Sequence, residues 1–305
     1  MCLIVMYHYV RNPEYTDYPN IHSCSVKDFI GQIDSLSKKY SFITISELIS
    51  IINDDDTVPN NCCILTFDDG FKDHYTNVFP VLKDKGLTGC FFPITGSIEN
   101  NEIMMVHKTQ FLLNKLGSKL LSQKVNNNLR KYFPKNAEEY LVSGEKHLNK
   151  YPWDDSLTTN LKYILNTMSK IMLDKIISPC FSNYFDEASF SKELYMNWNE
   201  MMEMKNNGMG FGSHSHTHPF LSKITEKEQY DEIIKSKSIL ESRLKCEISS
   251  FCYPYGRFDE FNDYTIIALK KIGFKCGLTA EHRINKNQNP FKLLRIDTNC
   301  VGELF

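Results

Sequence analysis

Residues 64–70 read ILTFDDG, an apolar run that ends in two adjacent carboxylates, Asp68 and Asp69, and a glycine. With Cys62 and Cys63 ahead of it, the run has the length and composition of a strand buried on both faces. Two like charges at the end of such a strand are unfavourable unless something positive or reactive uses them. On its own, Asp-Asp-Gly also reads as a turn signal.

Outward from this strand, short apolar runs alternate with longer amphipathic stretches, which predicts an α/β architecture with a mainly parallel sheet. Candidate strands lie at 2–7, 41–44, 62–67, 88–94, 208–213, 248–253, 274–279 and 293–297. Candidate helices lie at 26–39, 45–53, 74–86, 225–244 and 260–272, and Thr225 with Glu228 has the spacing of a capping box. From about 103 to 195 the pattern is one of amphipathic helices broken at Pro134, Pro152 and Pro179. That is far longer than a usual crossover, so 103–195 is read as a helical insertion within a single domain spanning 1–305.

Composition narrows the function classes. A chain of 305 residues, 42% of them hydrophobic, can build one large core. Its formal net charge of −2 supplies no basic excess for nucleic acid or anionic lipid. The opening MCLIVMYHYV (1–10) reaches His8 too early for a signal h-region or a membrane span, so it reads as a core strand. No other run approaches transmembrane length. The ten cysteines are scattered without a C-x-x-C pair, as reduced, buried small hydrophobes of a cytoplasmic protein would be.

The second informative stretch is GFGSHSHTHP, residues 210–219, where histidines alternate at 214, 216 and 218 after a Gly-rich strand. His214 and His218 are four apart, so on a turn both rings can face one point while His216 points elsewhere. Two imidazoles and one carboxylate are a common ligand set for zinc or another borderline divalent ion. In parallel α/β folds the C-terminal strand ends share one face, which brings Asp68–Asp69 and His214–His218 together. One carboxylate can then bind a metal while its neighbour accepts a proton.

In this order along the chain, TFDDG (66–70), HSHTH (214–218) and YPYG (253–256) resemble the polysaccharide deacetylases of the NodB-homology group, carbohydrate esterase family 4. The resemblance covers roughly 1–100 and 196–300. It implies an irregular (β/α) barrel of about seven parallel strands that removes acetyl groups from N-acetylated sugars with one divalent metal ion. Zinc comes first among the ions, with cobalt, nickel and manganese as alternatives. Asp68 resembles the general base, and Asp69, His214 and His218 resemble the metal ligands. The backbone N–H of Tyr255 resembles the oxyanion donor. An arginine usually stands three residues before that tyrosine, but here the position is Cys252, and Arg295 in LLRID is the candidate replacement that orients the base. The usual late catalytic histidine is absent too, and His8 in MYHYV resembles the general acid of members with an N-terminal Tyr-His. The remaining histidines carry no assigned role, with His74 and His282 read as surface residues.

The expected function is hydrolysis of an N-acetyl group on an amino sugar, in a surface polysaccharide or its nucleotide- or lipid-linked precursor. The alternatives are an N-deformylase or O-deacetylase on a sugar precursor, a metallo-amidase on a small non-sugar amide, and a catalytically silent glycan-binding member. An acetylated glycan is the expected partner, with no nucleic acid. The oligomeric state is left open.

Overall fold

The computed structural model describes residues 2–53, 59, 61–144, 154–285 and 289–304. The chain divides into two compact units, one of Met1–Asn12, His22–Glu102 and Ser191–Phe305, the other of Pro13–Ile21 and Ile103–Phe190.

The first unit carries eight strands among the described residues, where the resemblance implied about seven. They are β1 (Cys2–Tyr7), β2 (Ser41–Phe42), β3 (Cys62–Asp69), β4 (Cys90–Pro93), β5 (Gly210–Phe211), β6 (Ser250–Cys252), β7 (Cys276–Leu278) and β8 (Ile296–Asp297). Their pairing is parallel throughout. One sheet runs β5-β4-β3-β1-β8 with β2 beside β3, and β6 pairs with β7. Single parallel bridges, Ser213 to Phe251 and Leu278 to Leu293, join the β6–β7 pair to chain just after β5 and just before β8. The neighbour relations therefore return to β1, as in an irregular barrel with weak seams.

The period of two in β1, β3 and β4 sorts side chains onto two faces. Leu3, Val5, Tyr7, Cys63, Leu65, Phe67 and Phe91 share one core with Phe29, Ile33 and Leu36 of the helix Val26–Ser37. On the other face Cys2, Ile4, Cys62, Ile64, Cys90 and Phe92 pack with Cys252, Cys276 and Leu278. Five of these are cysteines, small enough to fill the narrow space where several strands face one another. Asp68 follows Cys62, Ile64 and Thr66 on this second face, so the pleat separates it from Asp69.

The predicted helix at 74–86 splits in two. His74–Val78 is π-helical and Phe79–Asp84 is α-helical. Pro80 explains the split. It has no N–H to donate to residue 76 and its ring crowds that carbonyl. The turn before it widens, and Phe79 N–H donates to His74 O, five residues back. His74, expected at the surface, is completely buried among Phe67, Phe71 and Phe91.

Burial holds the His74 imidazolium off, pulling its pKa from 6.5 to about 4. The folded state therefore excludes a proton that the unfolded chain accepts. Its contribution to stability is whole above about pH 6.5 and is lost as the pH falls towards 4, on the order of 3 kcal/mol in all. Urea midpoints at pH 7.5 and pH 4.5 test this. The wild-type protein should lose more stability between the two than His74→Phe does, and equal losses would remove His74 from the account.

The second unit is helical. Its Met105–Tyr132 segment breaks at Gly117, where φ is +73°, a conformation that glycine adopts without strain. Tyr18, Phe111, Phe181, Phe185 and Phe190 form an aromatic cluster within it. Pro179, read as a helix breaker, sits in the first turn of the helix Ser178–Ser182, where its missing N–H leaves no bond unmade. Pro152 lies outside the described residues.

Candidate active site

Asp68 is almost fully buried, and so is the arginine that meets it. Arg295 Nη1 donates to Asp68 Oδ1 at 2.8 Å and Nη2 donates to Oδ2 at 2.7 Å, a bidentate fork. The guanidinium is fixed from behind, because Nε donates to Thr279 O at 2.7 Å and Nη1 to Thr66 Oγ1 at 3.3 Å. Burial alone would raise the Asp68 pKa, but the Arg295 charge and hydrogen bonds bring it down to about 2. One of the two adjacent carboxylates is thus neutralised from within the fold.

Cys252, at the position where the family motif usually carries arginine, joins this pair. Its Sγ donates to Asp68 Oδ2 at 3.3 Å and lies 3.1 Å from Arg295 Nη2. Its thiol pKa is raised by burial, so it remains an S–H donor. Asp68, His214 and Cys252 have ligand atoms within 4.8 Å of one another. That group needs no metal, because Arg295 already supplies the cation.

A second group, Asp69, His214 and His218, has its ligand atoms within the same 4.8 Å. His214 Nε2 stands 3.5 Å and His218 Nε2 3.7 Å from Asp69 Oδ1. Donor atoms about 2.0–2.1 Å from a tetrahedral ion stand roughly 3.3 Å apart, so the spacing fits a divalent metal after slight contraction. His214 Nδ1 donates to Cys252 O at 2.8 Å, which fixes its tautomer and leaves Nε2 for a ligand. Burial opposes a charge on His214, yet the carboxylates of Asp69 and Asp68 outweigh it and hold the pKa well above that of an ordinary imidazole. The cluster favours a cation, as a metal site does.

His216 takes no part in that group. Its Nδ1 meets Thr95 Oγ1 at 2.9 Å, and its carbonyl accepts from Gly96 N–H at 2.8 Å. A Cβ on Gly96 would stand 2.4 Å from the His216 carbonyl oxygen, so glycine is required for this approach.

Backbone conformation concentrates at the same place. Asp69, Ser215, His218 and Tyr255 have positive φ values of 72°, 62°, 58° and 61°, a region that non-glycine residues seldom enter. Such conformations persist where surrounding structure imposes them, and they cluster at functional sites. Gly70 continues the turn at φ +74°, where a Cβ would fall 2.7 Å from Pro93 Cβ. The Tyr255 ring stacks on Phe220 at 3.8 Å and lies 4.7 Å from the His218 ring.

His8 follows β1 with its side chain 41% exposed and Nε2 3.9 Å from Asp68 Oδ2. The structure thus brings Asp68, Asp69, His214, His218, Cys252, Tyr255, Arg295 and His8 to one end of the strands. It also adds Glu232, which the sequence reading missed. Glu232 Oε2 accepts from the His216 and Thr217 N–H groups at 3.0 and 2.7 Å, and Oε1 accepts from Thr217 Oγ1 at 2.7 Å. It holds the histidine turn, but one more acid on a charged helix carries no signal in the sequence.

A parallel strand framework with two carboxylates, two histidines and a buried arginine at one end defines a carbohydrate deacetylase of the NodB type. The chain belongs to the polysaccharide deacetylase family, whose model matches residues 55–144 and 152–277. It is similar to "Putative polysaccharide deacetylase YxkH" of Bacillus subtilis (strain 168), with 20% identity over 99% of this chain and 74% of the relative. Among solved structures, IcaB from Ammonifex degensii superposes with a TM-score of 0.62 at 18% identity, over 99% of this chain and 94% of the other. The Streptococcus pyogenes deacetylase PplD, solved in complex with acetate, gives 0.61 at 18% identity over 97% and 91%. At those identities the structural likeness concerns the fold.

Proposed function

We propose that the protein hydrolyses the N-acetyl group of an amino sugar, in a surface polysaccharide or its nucleotide- or lipid-linked precursor, with one divalent metal ion held by Asp69, His214 and His218. The observation that carries this reading is the ionised Asp68, clamped by Arg295, immediately beside that ligand set. Zinc suits the two-imidazole, one-carboxylate donors best, with cobalt, nickel and manganese as substitutes. A bound ion would supply Lewis acidity towards the acetamide carbonyl and lower the pKa of a water.

The chain's own residues divide the remaining work. A carboxylate has about four lone-pair sites, and Arg295 and the Cys252 thiol occupy three on Asp68. The remaining one, on Oδ1, accepts the proton of the attacking water. The Tyr255 N–H stabilises the oxyanion, and its left-handed backbone sets its direction. His8 delivers a proton to the departing amine, so that amide and water become amine and acetate. Tyr255 and Phe220 offer a stacked aromatic edge for a sugar ring.

The compact unit built mainly from Ile103–Phe190 supports reading 103–195 as an insertion in one deacetylase domain. No helix is long and apolar enough to cross a membrane among the described residues. No disulfide joins the ten cysteines, which suits action in a reducing compartment such as the cytoplasm.

The test is acetate and formate release from UDP-N-acetylglucosamine, N-acetylglucosamine oligomers and their N-formyl counterparts. Chelation should reduce release at least a hundredfold, and added zinc should restore it. Full activity after chelation would defeat the metal assignment. Metal binding without release from any sugar would favour a silent glycan-binding protein.

A further inference from the structure

The loop that carries His8 is held by side chains from the π-helical turn after β3. His74 Nε2 meets His8 O at 2.8 Å, Asn77 Nδ2 donates to Val10 O at 2.7 Å, and Arg11 Nε donates to Asp73 Oδ2 at 2.6 Å. From the other side the loop pairs with Cys24, which donates to Tyr9 O at 3.0 Å and accepts from Arg11 N–H at 3.0 Å. The His8 ring itself stands 3.9 Å from Asp68, beyond hydrogen-bond reach, so its aim depends on where the backbone is fixed.

The chemistry of His74 is constrained. A carbonyl oxygen only accepts, so the proton of His74 must sit on Nε2, and Nδ1 is bare. Nδ1 has no hydrogen-bond partner and is buried. Aromatic rings surround the imidazole, and a leucine or phenylalanine there would pack without this donor. A π-turn, rare in general, presents Asp73, His74 and Asn77 towards the same four-residue loop.

We propose that His74, assisted by Asn77 and Asp73, is a positioning residue for the proton donor: it fixes the His8 backbone so that the ring meets the leaving amine. The proposal rests on His8 being the general acid, as set out above. It concerns a residue that touches neither substrate nor metal ligand set.

The experiment compares two substrates with the zinc-loaded full chain. One is the panel sugar that releases most acetate, whose amine must be protonated to leave. The other is 4-nitrophenyl acetate, whose phenolate leaves without a proton. His8→Ala should lower kcat on the amide by tenfold or more and change ester hydrolysis less than twofold. His74→Phe should show the same selectivity with KM on the amide within about twofold. His74→Gln, which can offer its amide N–H near the Nε2 position, should recover much of the loss. In a His8→Ala background, His74→Phe should have no further effect on the amide.

Outcomes separate cleanly. A selective loss in His8→Ala with none in His74→Phe overturns the clamp and leaves His8 as the acid. An equal loss on both substrates in His74→Phe means general loosening and also overturns it. If His8→Ala shows no selectivity, the acid assignment fails and the clamp falls with it, whereas Asp68 and the metal set stand. Should His74→Phe fail to fold, Asn77→Ala takes its place, with the same selective loss expected and equal loss overturning the proposal.

Discussion

Asp68→Asn is expected to lower kcat about 10²–10⁴-fold while the protein still binds one zinc ion, because the change removes the proton acceptor and spares Asp69, His214 and His218. The amide keeps the shape of the carboxyl group, and one of its atoms can still accept from Arg295. The other becomes a donor, best placed at the Oδ1 position where it faces Nη1, so the fork is half broken while the Nη2 and Cys252 thiol contacts remain. Zinc content after gel filtration and acetate release from the best panel sugar are the two measurements. Activity within a few-fold of wild type would place the base elsewhere. Loss of zinc together with activity would make Asp68 a contributor to the metal site.

Arg295→Met carries the largest expected effect on stability. Arg295 is among the largest side chains that are fully buried, and the carboxylate it faces is equally enclosed. Removing one partner of a buried pair leaves an uncompensated charge and costs about 3–5 kcal/mol. Here the Thr279 carbonyl also loses its donor. Urea unfolding monitors the loss. The double variant Asp68→Asn/Arg295→Met should be more stable than the sum of the single changes predicts, because it leaves no lone charge. Simple additivity would mean that the two groups do not interact energetically, against the 2.7 and 2.8 Å contacts. Arg295→Lys should recover little function, since a single ammonium cannot replace the planar fork.

The way these residues divide the chemistry shows what a sequence can hold. Asp68 and Asp69 are neighbours in the chain, and His214 and His218 are four apart. Strand pleat and turn geometry alone therefore limit where each can point. The run 62–67 reads as a buried strand because its one hydroxyl residue, Thr66, is itself a strand former, and β3 occupies Cys62–Asp69. Helix Glu226–Leu244 begins where Thr225 and Glu228 cap each other. These are local rules, and they can be read locally.

Other features had no local signature. Runs 208–213 and 293–297 look like full strands, but only Gly210–Phe211 and Ile296–Asp297 pair as such. Ser213 and Leu293 of these runs join the seams through single bridges. The run 74–86 reads as one helix, yet the π-turn ahead of Pro80 sets His74 and Asn77 against carbonyls more than sixty positions away, a pairing with no mark in the run itself. His74 looks polar and exposed by composition and is instead enclosed by three phenylalanines. Glu232 sits on a helix full of charges, and only the folded histidine turn shows what it holds.

By itself the sequence determined the parallel α/β class, the strand that ends in Asp68 and Asp69, and the spacing that lets His214 and His218 share a point. Each depends on periodicity or on residues a few positions apart. Only the tertiary structure decided how Asp68 is neutralised, since Arg295 is 227 residues away and meets it through strands that pair in an order unlike their order in the chain. It also decided that Cys252, in the place of the usual arginine, contributes a thiol to Asp68 and a carbonyl to His214 at once. Such contacts arise from closing the sheet, and loop closure over hundreds of residues leaves no trace in any short stretch of the chain.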